Sequence, residues 1–380
     1  MVVHLFSAIV SIYVIARLVW PLPRSRKGKV LASLVVFVLI SQHHLFTSLF
    51  FGTLASPEIP GGLIMFFGWM YGAFLLAGAF CLIRDIGVFL LFVLRKFGFP
   101  AGNLLSGKKV SYFICVAALV LSASGVWQAV LVPDVTRLEI YLEDLPEEFE
   151  GLSIVQLTDI HASRLLEAGW VEQVVAKANA LEPDLILLTG DMVDGLVVNR
   201  SNDVAPLGDL KAGLGVYSIP GNHEYYSEYN AWINKFAELR LNMLFNEHVI
   251  ISRNGAELVL AGTTDRVAER FELPLPDVSA ALAGIPENRI VILMAHQPIG
   301  ARENAAAGVD LQLSGHTHGG QIIGLRILSQ WVNDGFISGL YQVGGMQLYV
   351  SNGAGLWNGL PVRIGVPSEI TEIILRKGSG

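Results

Sequence analysis

Two long stretches without a charged residue constrain this chain more than any other feature of its sequence. Residues 61–83 and 110–132 are mostly apolar and contain no Asp, Glu, Lys or Arg. A helix needs ~20 apolar residues to cross a bilayer, and each stretch is long enough. Residues 2–20 and 30–51 meet the same length criterion but include polar or basic residues. The sequence therefore predicts a multi-pass transmembrane region of about four helices over 1–132.

The charge of the chain is divided between this apolar part and the remainder. Residues 1–132 carry ten Lys or Arg and two Asp or Glu, a balance of +8, whereas residues 133–380 carry sixteen and 31, a balance of -15. Surfaces that bind nucleic acid are basic, so an acidic second part argues against nucleic acid as a partner. Both cysteines, Cys81 and Cys115, lie in the apolar part, which excludes a cysteine metal site from the remainder.

The basic residues between the apolar stretches predict the orientation of the chain. Lys and Arg accumulate in loops that stay in the cytoplasm. The loops over 21–29 and 84–109 each contain at least four of them, whereas residues 53–60 contain none. This places the fourth span leading outward and predicts a protein of the cell (inner) membrane whose remaining part is extracytoplasmic. Residues 2–20 also fit a cleaved signal peptide in length, but no small-residue cleavage site precedes the first basic loop.

After a connector predicted over 133–151, residues 152–377 have the pattern of an α/β domain. Short apolar runs alternate with amphipathic stretches, which favours a sheet covered by helices. The predicted strands are 152–157, 185–188, 215–219, 258–261, 289–294, 311–313 and 347–350. The predicted helices are 167–180, 230–240 and 278–283. In such an architecture, ligands bind beyond the carboxyl ends of the strands.

Five of the six histidines in this second part directly follow predicted strands. These five are His161, His223, His296, His316 and His318. Carboxylate and amide side chains accompany them at the same strand ends, namely Asp159, Asp191 and Asn222. Imidazole with carboxylate and amide oxygens suits divalent first-row metals such as Mn, Fe or Zn. The absence of sulfur from the set disfavours a structural zinc site.

The spacing of these residues suggests how they could share two ions. In Asp159-x-His161 the outer residues project to one side if the chain stays extended, so both could face one ion. The rings of His316 and His318 could each reach a different ion. The Asp191 carboxylate is a natural bridge, since two cations can lie ~3.5–4 Å apart across it. Two such metals lower the pKa of a shared water and clamp a phosphoryl group, so that hydroxide attacks directly.

The order of these motifs resembles the signature of the calcineurin-like metallophosphoesterase family. The matching blocks are Asp159-x-His161, Gly190-Asp191, Gly221-Asn222-His223-Glu224, His296 and Gly315-His316-Thr317-His318. Five blocks in the expected order make the resemblance specific, whereas Gly-Asp alone would not. Residues 351–355 and 361–363 also resemble the membrane-associated or exported phosphodiesterase branch of this family. The resemblance implies a four-layer α/β domain, in which two mixed β-sheets are sandwiched by helices.

The resemblance also implies a role for each motif residue. Four side chains would hold a first metal: Asp159, His161, Asp191 and His318. Four would hold a second: Asp191, Asn222, His296 and His316. His223 matches a catalytic histidine of the family that is not a ligand. It would bind the phosphate or protonate the leaving oxygen, which suits a group that titrates near neutral pH.

Several neighbouring residues have plainer interpretations. Asp194 is interpreted as a hydrogen-bonding residue of its loop. Asp265 either lines the cleft or caps a turn. Glu224 either orients His223 or places a carboxylate at a helix N-terminus. Four aromatic residues either form a rim over the site or pack a helix: Tyr225, Tyr226, Tyr229 and Trp232.

The sequence thus predicts a membrane-anchored, metal-dependent phosphoesterase, either a phosphodiesterase or a phosphatase. It would cleave a phosphoric ester or diphosphate bond with two divalent metal ions. Its expected partners are the lipid bilayer and a phosphorylated small molecule or lipid. Confinement at the bilayer favours a lipid-linked or cell-envelope substrate, and a soluble nucleotide is the competing candidate. Two alternatives stay open: a cytoplasm-facing lipid-precursor pyrophosphatase, and a metal-binding membrane sensor or scaffold without turnover.

Overall fold

The chain forms two compact units in a computed structural model. The described residues are 2–49, 56–99, 105, 107–286 and 289–378. The first unit comprises Met1–Gln128 and Asn358–Ile364. The second comprises Ala129–Trp357 and Gly365–Gly380.

The described part of the first unit is built of four long helices. They are α1 (Val2–Val14), α2 (Arg26–Leu49), α3 (Gly61–Lys96) and α4 (Lys108–Val130). Among the described residues, α3 and α4 are long and apolar enough to cross a membrane, judged by length and composition. A shorter apolar helix covers Leu5–Val19, and the predicted stretch 30–51 ends outside the described residues. The number of spans and the limits of the transmembrane region therefore stay predictions.

The late segment Asn358–Ile364 packs on small residues of α3 and α4. A Cβ placed on Gly72 would lie 2.9 Å from the side chain of Val362, and one on Gly125 would lie 2.6 Å from it. The N–H of Arg363 donates to the carbonyl oxygen of Gly125 over 2.9 Å. Glycine allows such close approach between segments. This part of the predicted 152–377 domain therefore belongs to the helical unit.

The described part of the second unit contains two six-stranded sheets. The first sheet consists of β1 (Asp134–Leu142), β2 (Ser153–Leu157), β3 (Leu185–Thr189), β4 (Val216–Ile219), β5 (Asn242–Met243) and β12 (Glu369–Lys377). The second consists of β6 (Glu247–Arg253), β7 (Ala256–Gly262), β8 (Val291–Met294), β9 (Leu311–Ser314), β10 (Gly339–Val343) and β11 (Met346–Val350). Their strand orders are β1-β12-β2-β3-β4-β5 and β10-β11-β9-β8-β7-β6. Both sheets are mixed, because parallel inner strands such as β2 and β3 adjoin antiparallel pairs such as β12 and β2.

Helices cover the outer faces of both sheets. The helices of this unit are α5 (Ala168–Asn179), α6 (Val197–Val204), α7 (Asn222–Tyr226), α8 (Tyr229–Glu238), α9 (Val278–Ala281), α10 (Ala301–Ala306) and α11 (Arg326–Val332). Those that contribute buried residues to the outer cores are α5, α6, α8, α9 and α10. Successive residues of a strand point to opposite faces of the sheet. Ile154 therefore packs between the two sheets with Leu260, whereas Val155 packs outward with Val174 of α5. On the far side, Val259 of the second sheet packs with the α9 and α10 helices. The four-layer fold expected from the family resemblance is confirmed.

All seven predicted strands and all three predicted helices are present. Five strands of the structure were not predicted: the four edge strands β1, β5, β6 and β10, and the inner strand β12. Of these, β1 lies within the predicted connector 133–151 and pairs in parallel with β12. Its sequence did not show an apolar run because β1 is an edge strand with several exposed positions. Arg137 of β1 instead forms an ion pair with Glu372 of β12.

Trp232 of α8 links the outer core to the loop that follows β3. Its ring is fully buried and lies 5.6 Å from that of Phe236, and its indole Nε1–H donates to the carbonyl oxygen of Gly195 over 2.9 Å. This hydrogen bond holds one end of the loop that contains Asp191.

We expect Trp232→Ala to lower the free energy of unfolding of the second unit by ~3–5 kcal/mol, because a large buried ring is removed. Urea-dependent proteolysis of the full-length protein in detergent measures the change. Trp331→Ala is the matched control, since Trp331 is 84% exposed, and its effect should stay within ~0.5 kcal/mol. Equal losses in the two variants would contradict the core role of Trp232.

Candidate metal centre

The predicted site residues converge at the carboxyl ends of strands from both sheets. Asp159 and His161 follow β2, and Asp191 follows β3. Asn222 and His223 follow β4 at the start of α7, His296 follows β8, and His316 and His318 follow β9. Most of these side chains are buried, and His223 and His316 are half-buried. Buried polar groups need hydrogen-bonding or charged partners, and these side chains are to a large extent partners of one another.

A first group consists of Asp159, His161 and His318. The Nε2 atoms of the two rings lie 3.2 Å apart. The Asp159 Oδ1 atom lies 3.7 Å from the first ring nitrogen and 3.5 Å from the second. All three ligand atoms are within 4.8 Å of one another. Two imidazole nitrogens and a carboxylate that face one point form a donor set for a divalent cation.

A second group consists of Asp191, His296 and His316, with the amide of Asn222 beside them. Asp191 Oδ2 lies 3.1 Å from His296 Nε2. The amide oxygen of Asn222 lies 3.2 Å from the same nitrogen and 2.8 Å from His316 Nδ1. This group offers a second set of nitrogen and oxygen donors.

The Asp191 carboxylate lies between the two groups. Its Oδ2 atom, which adjoins His296, is also 3.8 Å from Nε2 of His161 in the first group. Its Oδ1 atom accepts the backbone N–H of His223 over 2.8 Å. Burial alone would raise the pKa of this carboxyl group, but the nearby His296 and His223 hold the pKa well below its usual range. An ionised carboxylate in this position can contact both donor groups.

The histidines of the second group are held in different electrostatic surroundings. Burial by itself lowers the pKa of His296, but the Asp191 carboxylate outweighs burial and raises this pKa to about 10. Burial and the charge of His296 together lower the pKa of His316 to about 4. A metal ligand must give up its proton, so a cation that binds here would take the place of the proton on His296.

Five of the seven proposed ligands have left-handed backbone conformations that non-glycine residues rarely adopt. Their φ angles are 52° at Asp159, 49° at His161, 54° at Asp191, 68° at His316 and 48° at His318. This conformation costs roughly 1–2 kcal/mol per residue. Such strain persists where the surrounding structure holds it, and it clusters at functional sites.

The left-handed conformation corrects one step of the sequence interpretation. Asp159 and His161 do face a common point, but through a turn, whereas an extended segment was expected. The turn is anchored on the loop after β3, because the N–H of Asp159 donates to the Gly190 oxygen and that of His161 to the Asp191 oxygen, each over 3.0 Å. Side-chain convergence therefore depends on the neighbouring loop.

Two glycines make this close arrangement possible. Gly190 has a φ of +93°, and a Cβ there would lie 2.7 Å from Nδ1 of His296. A Cβ on Gly221 would collide with the side chain and N–H of Asp191. The first glycine supplies a turn, and the second supplies only space.

Asp194 connects the first metal group to His223. One carboxylate oxygen, Oδ1, lies 3.1 Å from Nδ1 of His161 and 2.5 Å from Nδ1 of His223. An ionised carboxylate only accepts hydrogen bonds, so each ring donates through Nδ1 and keeps Nε2 for other partners. Burial alone would raise the pKa of Asp194, but the two imidazoles lower it to about 2. From the sequence, Asp194 was expected to form a hydrogen bond within its own loop, because its spacing after Asp191 gives no sign of these two partners.

Other neighbouring residues either support the loops of the site or lie beside His223. The Glu224 carboxylate accepts the N–H groups of Gly221 and Met192, each over 2.7 Å, so it acts at the N-terminus of α7. The ring of Tyr226 lies 5.3 Å from that of His223, and the Trp357 ring lies 6.5 Å from it. These two aromatic rings adjoin the half-buried histidine.

Comparisons with known proteins agree with this geometry. The family model described as calcineurin-like phosphoesterase matches residues 152–320. A bovine (Bos taurus) transmembrane protein with metallophosphoesterase domain is 36% identical over 294 residues, which cover 73% of this chain and 66% of the relative. The zebrafish (Danio rerio) protein with the same description is 32% identical over 368 residues, which cover 86% of this chain and 83% of the relative. A Helicobacter pylori metallophosphoesterase is 36% identical over 253 residues, which cover 66% of each chain. Together with the four-layer fold and the two donor groups, these similarities show that the chain belongs to the calcineurin-like phosphoesterase family.

Proposed function

We propose that this protein is a membrane-anchored phosphohydrolase that cleaves a phosphoric ester or diphosphate bond with two divalent cations. The observation that carries the proposal is the position of the Asp191 carboxylate. Its Oδ2 atom lies 3.1 Å from His296 in one donor group and 3.8 Å from His161 in the other. A carboxylate shared in this way supports a pair of ions in preference to a single one.

The donor sets indicate which residues would hold the ions. The first ion would be held by Asp159, His161, Asp191 and His318. The second would be held by Asp191, Asn222, His296 and His316. When bound, the cations would activate water and neutralise the charge of the phosphoryl oxygens. The nitrogen and oxygen donors suit Mn, Fe or Zn.

The role that we propose for His223 is to supply a proton to the leaving oxygen. Its Nδ1 is engaged by Asp194, and its Nε2 lies 3.9 Å from Asp191 Oδ2, on the side of the donor groups. Burial lowers the pKa of His223, but the Asp191 and Asp194 carboxylates outweigh burial and raise it. The protonated ring is thereby favoured, which suits a general acid.

The charge distribution supports an orientation in the membrane, and confinement at the bilayer supports a substrate class. The basic loops support a multi-pass protein of the cell membrane whose catalytic unit is extracytoplasmic. A lipid-linked or cell-envelope phosphate is the substrate favoured by confinement at the bilayer, and a soluble nucleotide is the alternative. The acidic surface of this part would not attract anions from a distance, so the bound cations would have to supply the local attraction.

We expect His223→Ala to reduce turnover by ~10²–10⁴-fold, because the general acid is lost. Metal content should stay at the wild-type value, since His223 is not a proposed ligand. Hydrolysis of bis(p-nitrophenyl) phosphate with added Mn²⁺ and mass-spectrometric metal analysis of the same full-length sample measure the two quantities. A folded variant that loses metal would show that His223 is a ligand.

Asp191→Ala should lose bound metal as well as activity, because both ions lose the same ligand. The matched control is Asp265→Ala, which removes another buried carboxylate, one that caps a turn through the N–H of Val267. Full activity in Asp191→Ala would refute the bridging role. A wild-type rate no higher than that of Asp191→Ala would favour the sensor or scaffold alternative.

A reporter fused after Lys377 should be on the extracytoplasmic side. An alkaline phosphatase fusion, which is active only outside the cytoplasm, should therefore be active there. The same reporter fused after Lys29 should be inactive, because that basic loop is expected inside. The reverse result would support the cytoplasm-facing pyrophosphatase alternative.

A further inference from the structure

A helical segment after the His318 turn presents an apolar face to solvent. The segment consists of a 3₁₀ turn, Ile323–Leu325, followed directly by α11. Five of its large apolar side chains are exposed: Ile323 (61%), Ile327 (78%), Leu328 (65%), Trp331 (84%) and Val332 (60%). Ile327 and Trp331 are four residues apart, as are Leu328 and Val332, which places these four side chains on one side of α11. Ile323 precedes them in the 3₁₀ turn. We call these five residues the α11 apolar face.

The clustering distinguishes this face from the rest of the second unit. Where the structure describes that unit, the other exposed large apolar side chains occur singly or in pairs, as at Leu196 and Val198. Single exposed apolar residues are normal, whereas a contiguous exposed patch marks a contact with a partner or a membrane.

The charge around the α11 apolar face is also unusual for this chain. Residues 133–380 contain 31 Asp or Glu residues, but residues 311–368 contain a single acidic residue, Asp334. The single charged side chain of the segment is Arg326. Helices that lie in the membrane interface combine an apolar face with basic residues and aromatic rings such as that of Trp331. A face with few acidic neighbours can approach anionic lipids without repulsion.

The segment packs directly against the turn that carries a proposed ligand. His318 begins the 3₁₀ turn His318–Gly320. A Cβ on Gly320 would lie 3.0 Å from the Cα atom of Arg326, so a side chain there would require the turn and α11 to move apart. The position of α11 is thereby tied to the metal centre.

We propose that the α11 apolar face docks on a lipid bilayer, so that the metal centre takes its phosphate ester from an amphiphile at the membrane surface. The choice of a bilayer as the occupant rests on the same chain. Helix α4 is long and apolar enough to span a membrane and ends at Val130, and β1 begins at Asp134. Such a short tether gives the bilayer a high effective concentration at the second unit. The substrate class rests on the proposed function, whereas the docking does not.

Lipid contact is tested in the full-length protein without any assay of activity. Trp331→Cys in a Cys81→Ser/Cys115→Ser background is labelled with an environment-sensitive fluorophore. The protein is placed in nanodiscs of phosphatidylcholine and phosphatidylglycerol, with or without doxyl-labelled lipid. The matched control is Asn254→Cys, an exposed residue of the turn before β7, at the opposite end of the strands from the metal centre.

Doxyl lipid should quench the label at 331 several-fold more than the label at 254. Equal quenching at the two positions would overturn the docking. A second outcome would also overturn the proposal. If the label at 331 were shielded from water but not quenched by doxyl lipid, and Ile327→Ser changed the oligomeric state, the α11 apolar face would bind a second copy of the chain.

A second measurement tests the substrate class. Ile327→Ser with Trp331→Ser should raise KM at least several-fold for hexadecyl p-nitrophenyl phosphate carried in the same nanodiscs. Its kinetics on soluble bis(p-nitrophenyl) phosphate should match those of wild type and of the control Ile250→Ser, which alters an exposed apolar residue of β6. An unchanged KM for the lipid-like ester would overturn the substrate class. If wild type hydrolysed neither ester, the proposed function would fail, and the quenching result would still decide the docking.

Discussion

The mutual attraction of buried carboxylates and imidazoles is the interaction on which the candidate site depends. Asp191 has a central position, because one of its oxygens lies between His296 and His161 and the other accepts the N–H of His223. Burying such groups singly would cost several kcal/mol each. They are tolerated together because each ionised carboxylate faces imidazoles, and because cations can replace the protons that those imidazoles carry. Five of the proposed ligands have a left-handed backbone conformation at the loops where their side chains converge.

The two sheets supply the rigidity that this strain requires. Within each sheet, the parallel inner strands end on the same side. The loops that follow β2, β3 and β4 of the first sheet and β8 and β9 of the second therefore meet at the site. The loops are held from behind by buried contacts. The indole N–H of Trp232 donates to the carbonyl oxygen of Gly195, and the Glu224 carboxylate accepts the N–H groups of Gly221 and Met192. The fold therefore positions the site residues through these loops, and the apolar core residues do not contribute side chains to the site.

The chain combines this candidate metal site with apolar segments that could contact a membrane. Helical segments long enough to span a bilayer precede an acidic unit, and the α11 apolar face lies beside a ligand-bearing turn in a stretch that almost lacks acidic residues. An exposed apolar helix is unfavourable in water but stable at a lipid interface, because its side chains leave water there. In the proposed function, the membrane anchor and the α11 apolar face would together bring this acidic unit to phosphates at a membrane surface.

Much of the fold and the candidate site could be predicted from the sequence, because the information was local. Apolar runs marked seven inner strands, and the motifs that follow them identified seven proposed ligands and His223. The four edge strands β1, β5, β6 and β10 were missed because half-exposed strands lack such a run, and the inner strand β12 was missed as well. Only the tertiary structure decided that Asp159 and His161 converge through a left-handed turn, that Asp194 serves two histidines, and that the apolar residues of α11 face outward. Each of these depends on neighbours distant in sequence: residue type and spacing determine what a side chain can do, but long-range packing determines which group it meets.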